Sequence, residues 1–352
     1  MLLKQIKLYN FRNFEKADFI FNPFLTVIIG DNARGKTNLL ESIYFLVNGV
    51  GFRESKEEEL INFKKEKGNV DGLFVEKDNK TEFKINLSKV DGRTEKIYFL
   101  NKTKKRHLQY LKDQTKAILF SPEQIQIITD SPDVRRDYFN KIISFYDYEY
   151  KKRLGNYENS LRRRNKILEA YHDEDRLKEE LVFWDDYLEK QAVYIIEKRQ
   201  QYINYLNTNP NLDDKEFKIE YIKNELNKER FCQVFDLEKR IKRTMIGPQK
   251  DDFHIFMSEK NIHHFGSRSE QRLAIIWLKI NEIKYYEEKF NRMPILLLDD
   301  ILSELDSKNK KMILDLVKKY QTVLTTTEKE IIDLIEVEKT ILNVPLSGDV
   351  LR

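Results

Sequence analysis

The chain has 352 residues, 40% of them hydrophobic and 35% charged, with a formal net charge of +4. That is enough apolar material for one large core or two smaller ones, and the mild positive surplus permits a polyanionic partner without demanding one. The single cysteine, Cys232, excludes an internal disulfide, the N-terminal MLLKQIKLYNFRNF lacks the apolar run of a secretory signal, and no stretch of about 18 apolar residues suggests a membrane span, so a cytoplasmic protein with no membrane partner is expected.

Taken in chain order, Leu3, Ile6 and Leu8, then Phe19 and Phe21, alternate with polar residues and predict two strands. Leu25 to Ile29 is a continuous apolar run, the mark of a strand buried on both faces. From Thr37 the spacing becomes helical through Leu39, Leu40, Ile43, Tyr44 and Leu46, and short alternating strands return between about 70 and 100. The segment from about Asp133 to Asn207 is nearly free of Gly and Pro and repeats its apolar residues at helical intervals, which predicts several helices. Phe217 to Tyr221 follows as a strand and Leu237 to Met245 as a helix. Near the end, Ile295 to Leu298 is a second buried strand. The expected organisation is therefore an α/β nucleotide-binding head in two pieces, 1–121 and 246–352, interrupted by a mainly helical insertion over 122–245.

Two motifs carry chemistry. Gly30-Asp31-Asn32-Ala33-Arg34-Gly35-Lys36-Thr37 meets the phosphate-loop pattern G-x-x-x-x-G-K-[ST], with a strand before it and a helix after it. Backbone N–H groups of such a loop wrap phosphates, the lysine reaches the β- and γ-phosphates, and the threonine hydroxyl ligates Mg²⁺. ATP and Mg²⁺ are the expected ligands, with Asn38 continuing the loop into the helix. The run ILLLDD places Asp299 and Asp300 at the carboxyl end of a buried strand, where nucleotides bind. Asp299 is expected to serve the metal, and Asp300 to orient or deprotonate an attacking water.

The order of several motifs adds a family likeness. FRN at Phe11–Asn13, GDNARGKTNLLESIYFL, GFR at Gly51–Arg53, LFSPEQIQIITDSPDVRRDYFN, YENSLRRRNKIL, FWDDYLEKQA, GPQKDDF and LLLDDILSELD together span nearly the whole chain. This series resembles RecF, a family of bacterial recombination mediators related to the heads of SMC and Rad50 proteins. The resemblance implies an ABC-type ATPase head, a P-loop NTPase with an inserted all-helical domain and no long coiled coil. It implies an ATP-dependent homodimer in which each copy offers a signature loop, here around Ser267, to the partner's γ-phosphate; Ser269 stands where the family usually has glycine. Arg12 and Arg53 fall near the nucleotide in the family pattern, and Thr325-Thr326-Thr327, expected just after a strand over Thr322 to Leu324, falls where a γ-phosphate contact is made. Duplex DNA, preferred near single-strand gaps and junctions, and RecR- and RecO-type proteins are the implied partners. The basic clusters Lys104-Lys105-Arg106 and Arg162-Arg163-Arg164 are candidate phosphate contacts, binding without sequence preference. Other ABC-type heads, of the Rad50, SMC or RecN kind, and a phosphate-loop small-molecule kinase are the alternatives.

Overall fold

The computed structural model describes residues 1–31, 34–53, 56–112, 115–170, 173–328, 332 and 335–343. In chain order the elements begin with β1 (Leu2–Phe11), β2 (Phe14–Ile20), β3 (Leu25–Ile29), α1 (Lys36–Asn48), β4 (Lys67–Glu76), β5 (Asn79–Val90), β6 (Arg93–Leu100), β7 (Thr103–Lys105), α2 (His107–Lys112) and β8 (Ala117–Phe120). They continue with α3 (Gln126–Thr129), α4 (Pro132–Tyr146), α5 (Tyr148–Ala170), α6 (Glu174–Thr208), β9 (Asn211–Leu212), β10 (Lys215–Ile222), α7 (Lys228–Ile241), β11 (Asp252–Met257), β12 (Lys260–Asn261) and α8 (Ile262–Phe265). The last are α9 (Arg268–Phe290), β13 (Ile295–Asp299), α10 (Ser307–Lys319), β14 (Thr322–Thr326) and β15 (Lys339–Asn343).

Contacts divide the chain into two compact units, 1–123 with 282–352, and 124–281. The boundaries expected from the sequence were 121/122 and 245/246.

In the first unit, the described strands form an antiparallel sheet in the order β2-β1-β4-β5-β6-β7 and a parallel sheet in the order β15-β3-β14-β13-β8. Strands β3, β8 and β13 are mainly apolar because both faces are covered, and β13 and β14 are buried at every position. Helix α1 is buried on nearly all sides. Its Leu39, Ile43 and Leu46 join one core with Ile6 and Phe74 of the antiparallel sheet and with Leu297 and Val323 of the parallel one. An all-round apolar helix belongs in a core. Asn48 ends it by pairing its side-chain amide with the backbone of Ala117 on β8, donating to the carbonyl at 2.9 Å and accepting from the N–H at 3.3 Å.

The second unit pairs α5 and α6 as an antiparallel hairpin, with Leu168 packed against Leu177 and Leu181. Helix α6 has 35 residues, about 50 Å at 1.5 Å per residue, and no longer helix occurs among the described residues. The insertion is mainly helical but not all-helical as the family likeness implies; the strand expected over Phe217 to Tyr221 is there as β10. Beside its helices it carries the antiparallel sheet β12-β11-β10-β9, in which Phe217, Ile219 and Tyr221 of β10 face Met257, Ile255 and Phe253 of β11.

Buried charge organises this second unit. Arg199, on α6, donates to Asp251 (2.6 Å), to the Pro248 carbonyl (2.7 Å) and to Asn140 (3.0 Å). Asp251 also accepts from the Asn224 N–H at 2.7 Å and from the Tyr221 hydroxyl. Arg135 grips Asp252 with two hydrogen bonds of 2.7 and 3.0 Å, and Arg136 donates to the Asp251 carbonyl at 2.7 Å. The motifs VRRDYFN and GPQKDDF thus meet in one network.

Candidate nucleotide site

The phosphate loop leaves β3 and enters α1, and Gly35 is the residue that makes the entry possible. Its φ of +99° is a conformation that side-chain-bearing residues rarely adopt, and a Cβ there would lie 2.5 Å from the Asn13 side chain. Asn13 accepts from Asn38 at 2.8 Å and donates to the Arg34 carbonyl at 3.4 Å, so the β1–β2 turn supports the loop from outside. The Lys36 ammonium turns back and donates to the carbonyls of Gly30 (2.7 Å) and Asp31 (3.0 Å). Asp31 and Arg34 form an exposed ion pair at 3.0 Å. Asn32 and Ala33 lie outside the described residues.

Because β3, β14 and β13 run parallel and adjacent, their carboxyl ends lie side by side. The Thr37 hydroxyl at the start of α1 donates to Asp299 Oδ1 at 3.0 Å, joining residues 262 positions apart. Burial pushes the Asp299 carboxyl above its ordinary pKa, against the opposing pull of hydrogen bonds from Thr325 and Thr37. Asp300 leaves the strand in the left-handed region, at φ 49°. Burial raises its carboxyl pKa as well, opposed by the Lys36 charge and reinforced by Asp299. Its Oδ1 is buried without a hydrogen-bond partner among the described groups. An orphaned carboxylate oxygen facing a phosphate loop, with its basicity raised, fits a group meant to receive a proton or a water.

Arg12 makes a bidentate pair with Glu41 of α1, at 2.7 and 2.9 Å, and Glu41 is fully buried. The Arg53 N–H donates to the same carboxylate at 3.1 Å. Glu41 is thus the common anchor of both arginine-bearing segments, a role its sequence context does not signal. Two of the three late threonines, Thr325 and Thr326, belong to β14 and do not follow it.

In the second unit, Ser267 is exposed just before α9 and forms a reciprocal cap with Glu270. The Ser267 N–H donates to the carboxylate at 2.7 Å, and the Glu270 N–H to the Ser267 hydroxyl at 3.3 Å. Lys260 holds that carboxylate with two bonds of 2.7 and 2.8 Å, which fixes the loop. Of the basic candidates, Lys104 and Arg106 are exposed at the β7 edge, Lys105 is half-buried, and Arg162 and Arg163 are exposed on α5. Arg164 is corrected: it is 1% exposed and bound by Asp185, Glu238 and Thr244, so it cannot reach a DNA backbone.

A parallel sheet with a phosphate loop after one strand and a paired carboxylate after another, set with an antiparallel sheet around a shared helix, defines an ABC-type ATPase head of the P-loop class. The RecF/RecN/SMC N terminal domain family matches residues 2–344. The chain is similar to the DNA replication and repair protein RecF of an Exiguobacterium species, 33% identical over 348 residues covering 93% of this chain and 92% of the relative. It is 32% identical to that of Clostridioides difficile over 377 residues, covering 100% and 98%. The solved recombination mediator protein RecF-ATPrS of the RecFOR pathway superposes with a TM-score of 0.84 at 30% identity, covering 97% of both chains. The Smc head of Pyrococcus furiosus shares the fold, with a TM-score of 0.51 at 17% identity over 97% of this chain and 93% of that one. The chain belongs to the RecF family of DNA replication and repair proteins.

Proposed function

We propose that this chain is an ATP-switched DNA-binding protein of recombinational repair. ATP closes two copies into a clamp on duplex DNA near single-strand gaps, and slow hydrolysis releases it. RecO- and RecR-type partners receive the bound state and load the recombinase. The observation that carries the reading is the meeting of Thr37, Lys36, Asp299 and Asp300 at the mouth of one parallel sheet.

Within that reading, the loop N–H groups and Lys36 hold the phosphates, Thr37 and Asp299 hold Mg²⁺, and Asp300 orients and deprotonates the water. Bound there, Mg²⁺ would neutralise developing phosphate charge. Ser267, on its braced loop, is the group offered to the second copy's nucleotide. Arg12 acts through Glu41, holding the β1–β2 turn whose Asn13 supports the loop. Lys104, Arg106, Arg162 and Arg163 are the candidate DNA contacts. RecF relatives have been solved with ATP and with ATPrS, which supports ATP as the nucleotide here. The length of α6 disfavours an SMC- or RecN-like head with a long coiled coil.

The test is binding to a fluorescent gapped duplex with ATP, with ADP and without nucleotide, for wild type, Lys36→Met and Asp300→Asn. Binding that requires ATP, fails in Lys36→Met and persists in Asp300→Asn is expected. Binding that ignores nucleotide in every variant would end the clamp reading.

A further inference from the structure

Three threonines of the parallel sheet, Thr26, Thr322 and Thr325, are at 0% exposure, and their hydroxyls do different work. Thr26 accepts from the Asn22 N–H at 2.9 Å, and Thr322 donates to the Tyr320 carbonyl at 2.9 Å. Both bonds stay within four residues and satisfy local turns. Thr325 is as buried, at 0% exposure, but its short hydrogen bonds reach 25 and 26 residues away, to the two acidic residues of the site.

We infer that Thr325 is a positioning residue that sets Asp299 and Asp300 for metal-nucleotide binding; this rests on the reading of the site proposed above. The parallel register places Thr325 directly beside Asp299. A hydroxyl has one proton to give. Thr325 gives it to Asp299 Oδ1 at 2.8 Å, the Leu298 carbonyl at 3.5 Å being a poorer acceptor. Asp299 Oδ1 takes a second hydroxyl, from Thr37, at 3.0 Å. The carboxylate is therefore held between β14 and α1 and cannot turn without breaking both bonds.

The same Thr325 oxygen accepts from the Asp300 N–H at 3.0 Å, sharing that proton with the Thr325 carbonyl at 3.2 Å. Asp300 is at that point in the left-handed region, uncommon for any residue but glycine, asparagine or aspartate. One hydroxyl thus fixes the side chain of the first carboxylate and the backbone that aims the second. Valine would fill the position equally well and satisfy the strand's β-branched preference. A buried hydroxyl here costs desolvation that its bonds to the two aspartates offset.

Because the Thr325 carbonyl still accepts from Asp300 when the hydroxyl is gone, Thr325→Val should fold. The experiment titrates a fluorescent ATP analogue, with Mg²⁺ and with EDTA, against the full-length wild type, Thr325→Val, Thr325→Ala and Thr325→Ser, with melting temperature alongside. Because the lost hydrogen bond is made to a charged group, the Mg²⁺-dependent gain in affinity is expected to fall by about ten-fold or more in the valine and alanine variants. Affinity in EDTA should stay within about two-fold of wild type, and Thr325→Ser should recover the Mg²⁺ dependence. The alanine variant reads the same effect if valine fails to fold. A valine or alanine variant with wild-type Mg²⁺ dependence, or one losing both affinities in proportion to its melting temperature, reduces Thr325 to a packing residue and overturns the inference. A wild-type protein that binds no ATP analogue under either condition overturns the proposed function itself, and the Thr325 assignment with it.

Discussion

The three consecutive arginines 162–164 should behave as two surface residues and one keystone. Arg164 is 1% exposed, paired with Asp185 at 2.6 Å and with Glu238 at 2.7 Å, bonded to Thr244 at 2.9 Å, and stacked over the Phe231 ring at 4.5 Å. Glu238 is itself at 0% exposure, and the Met245 N–H, at 2.6 Å, is its other neighbour. Arg164→Ala therefore strands a buried carboxylate. Removing one member of a buried ion pair costs about 3–5 kcal/mol. For a unit of this size, about 2–4 °C of melting temperature is lost per kcal/mol, which gives a drop on the order of 10 °C. Arg162→Ala and Arg163→Ala should stay within about 0.5 kcal/mol of wild type. The assay is thermal unfolding of the full chain, with hydrogen exchange on α5 and α7 to place the loss in the second unit. DNA binding measured below the transition should weaken for Arg162→Ala and Arg163→Ala, with a shallower salt dependence. If Arg164→Ala melts with the other two, the burial argument is wrong.

Gly35→Ala should abolish nucleotide binding, since its φ is +99° and a Cβ meets Asn13; Gly155→Ala, on α5 with nothing within 4 Å of the added carbon, should stabilise by about 0.5–1 kcal/mol. Equilibrium dialysis with ATP reads the first and thermal melting the second. Glu41→Ala should speed exchange of the Arg53 amide proton, which loses its 3.1 Å acceptor, while the amide of Gly49, bonded to the Phe45 carbonyl, exchanges as before. Glu174 sits at the start of α6, where hydrogen bonds from Lys178 and Lys239 pull its carboxyl down to about 2. A depressed carboxyl stabilises the fold fully above its unfolded value near 4.5 and loses that contribution as pH falls toward 2. A pH titration of the Glu174 carboxyl by NMR should find its midpoint near the lower end of that window, and Glu174→Gln should flatten stability across it.

The nucleotide site was legible because its signals are local. A continuous apolar run, a glycine-bracketed loop and a helical repeat identify β3, the loop and α1, and ILLLDD announces its own position. What joins them is not local. Thr37 meets Asp299 only because β3 and β13 flank β14, an order that periodicity does not state. Three arginines in a row look solvated, and that appearance is misleading at Arg164. The helical period told against it, since Tyr157, Ser160 and Leu168 share its face and all are buried. In the second unit the strand at Phe217 to Tyr221 is legible from its own spacing, but its partner is not. That partner, β11, begins 30 residues after β10 ends, beyond α7 and the Gly247 turn. Glu41 gave no signal, as an acidic residue within an apolar helix reads as an exposed position until its arginine is found.

The order of strands in the parallel sheet sets a timetable for synthesis. Strand β3, which carries the phosphate loop, is flanked by β14 and β15, so every neighbour it will pair with lies at the far end of the chain. A ribosome adding about 5–20 residues per second makes β3 wait roughly 15–60 s for β14. The second unit, contiguous over 124–281, is synthesised before β14 begins at Thr322. Nascent chains arrested near residue 300 should resist protease across that unit while the N-terminal segment is still cut. A premature stop anywhere before β14 leaves the phosphate loop on an unpaired apolar strand, a substrate for chaperones and proteases and never a half-active enzyme.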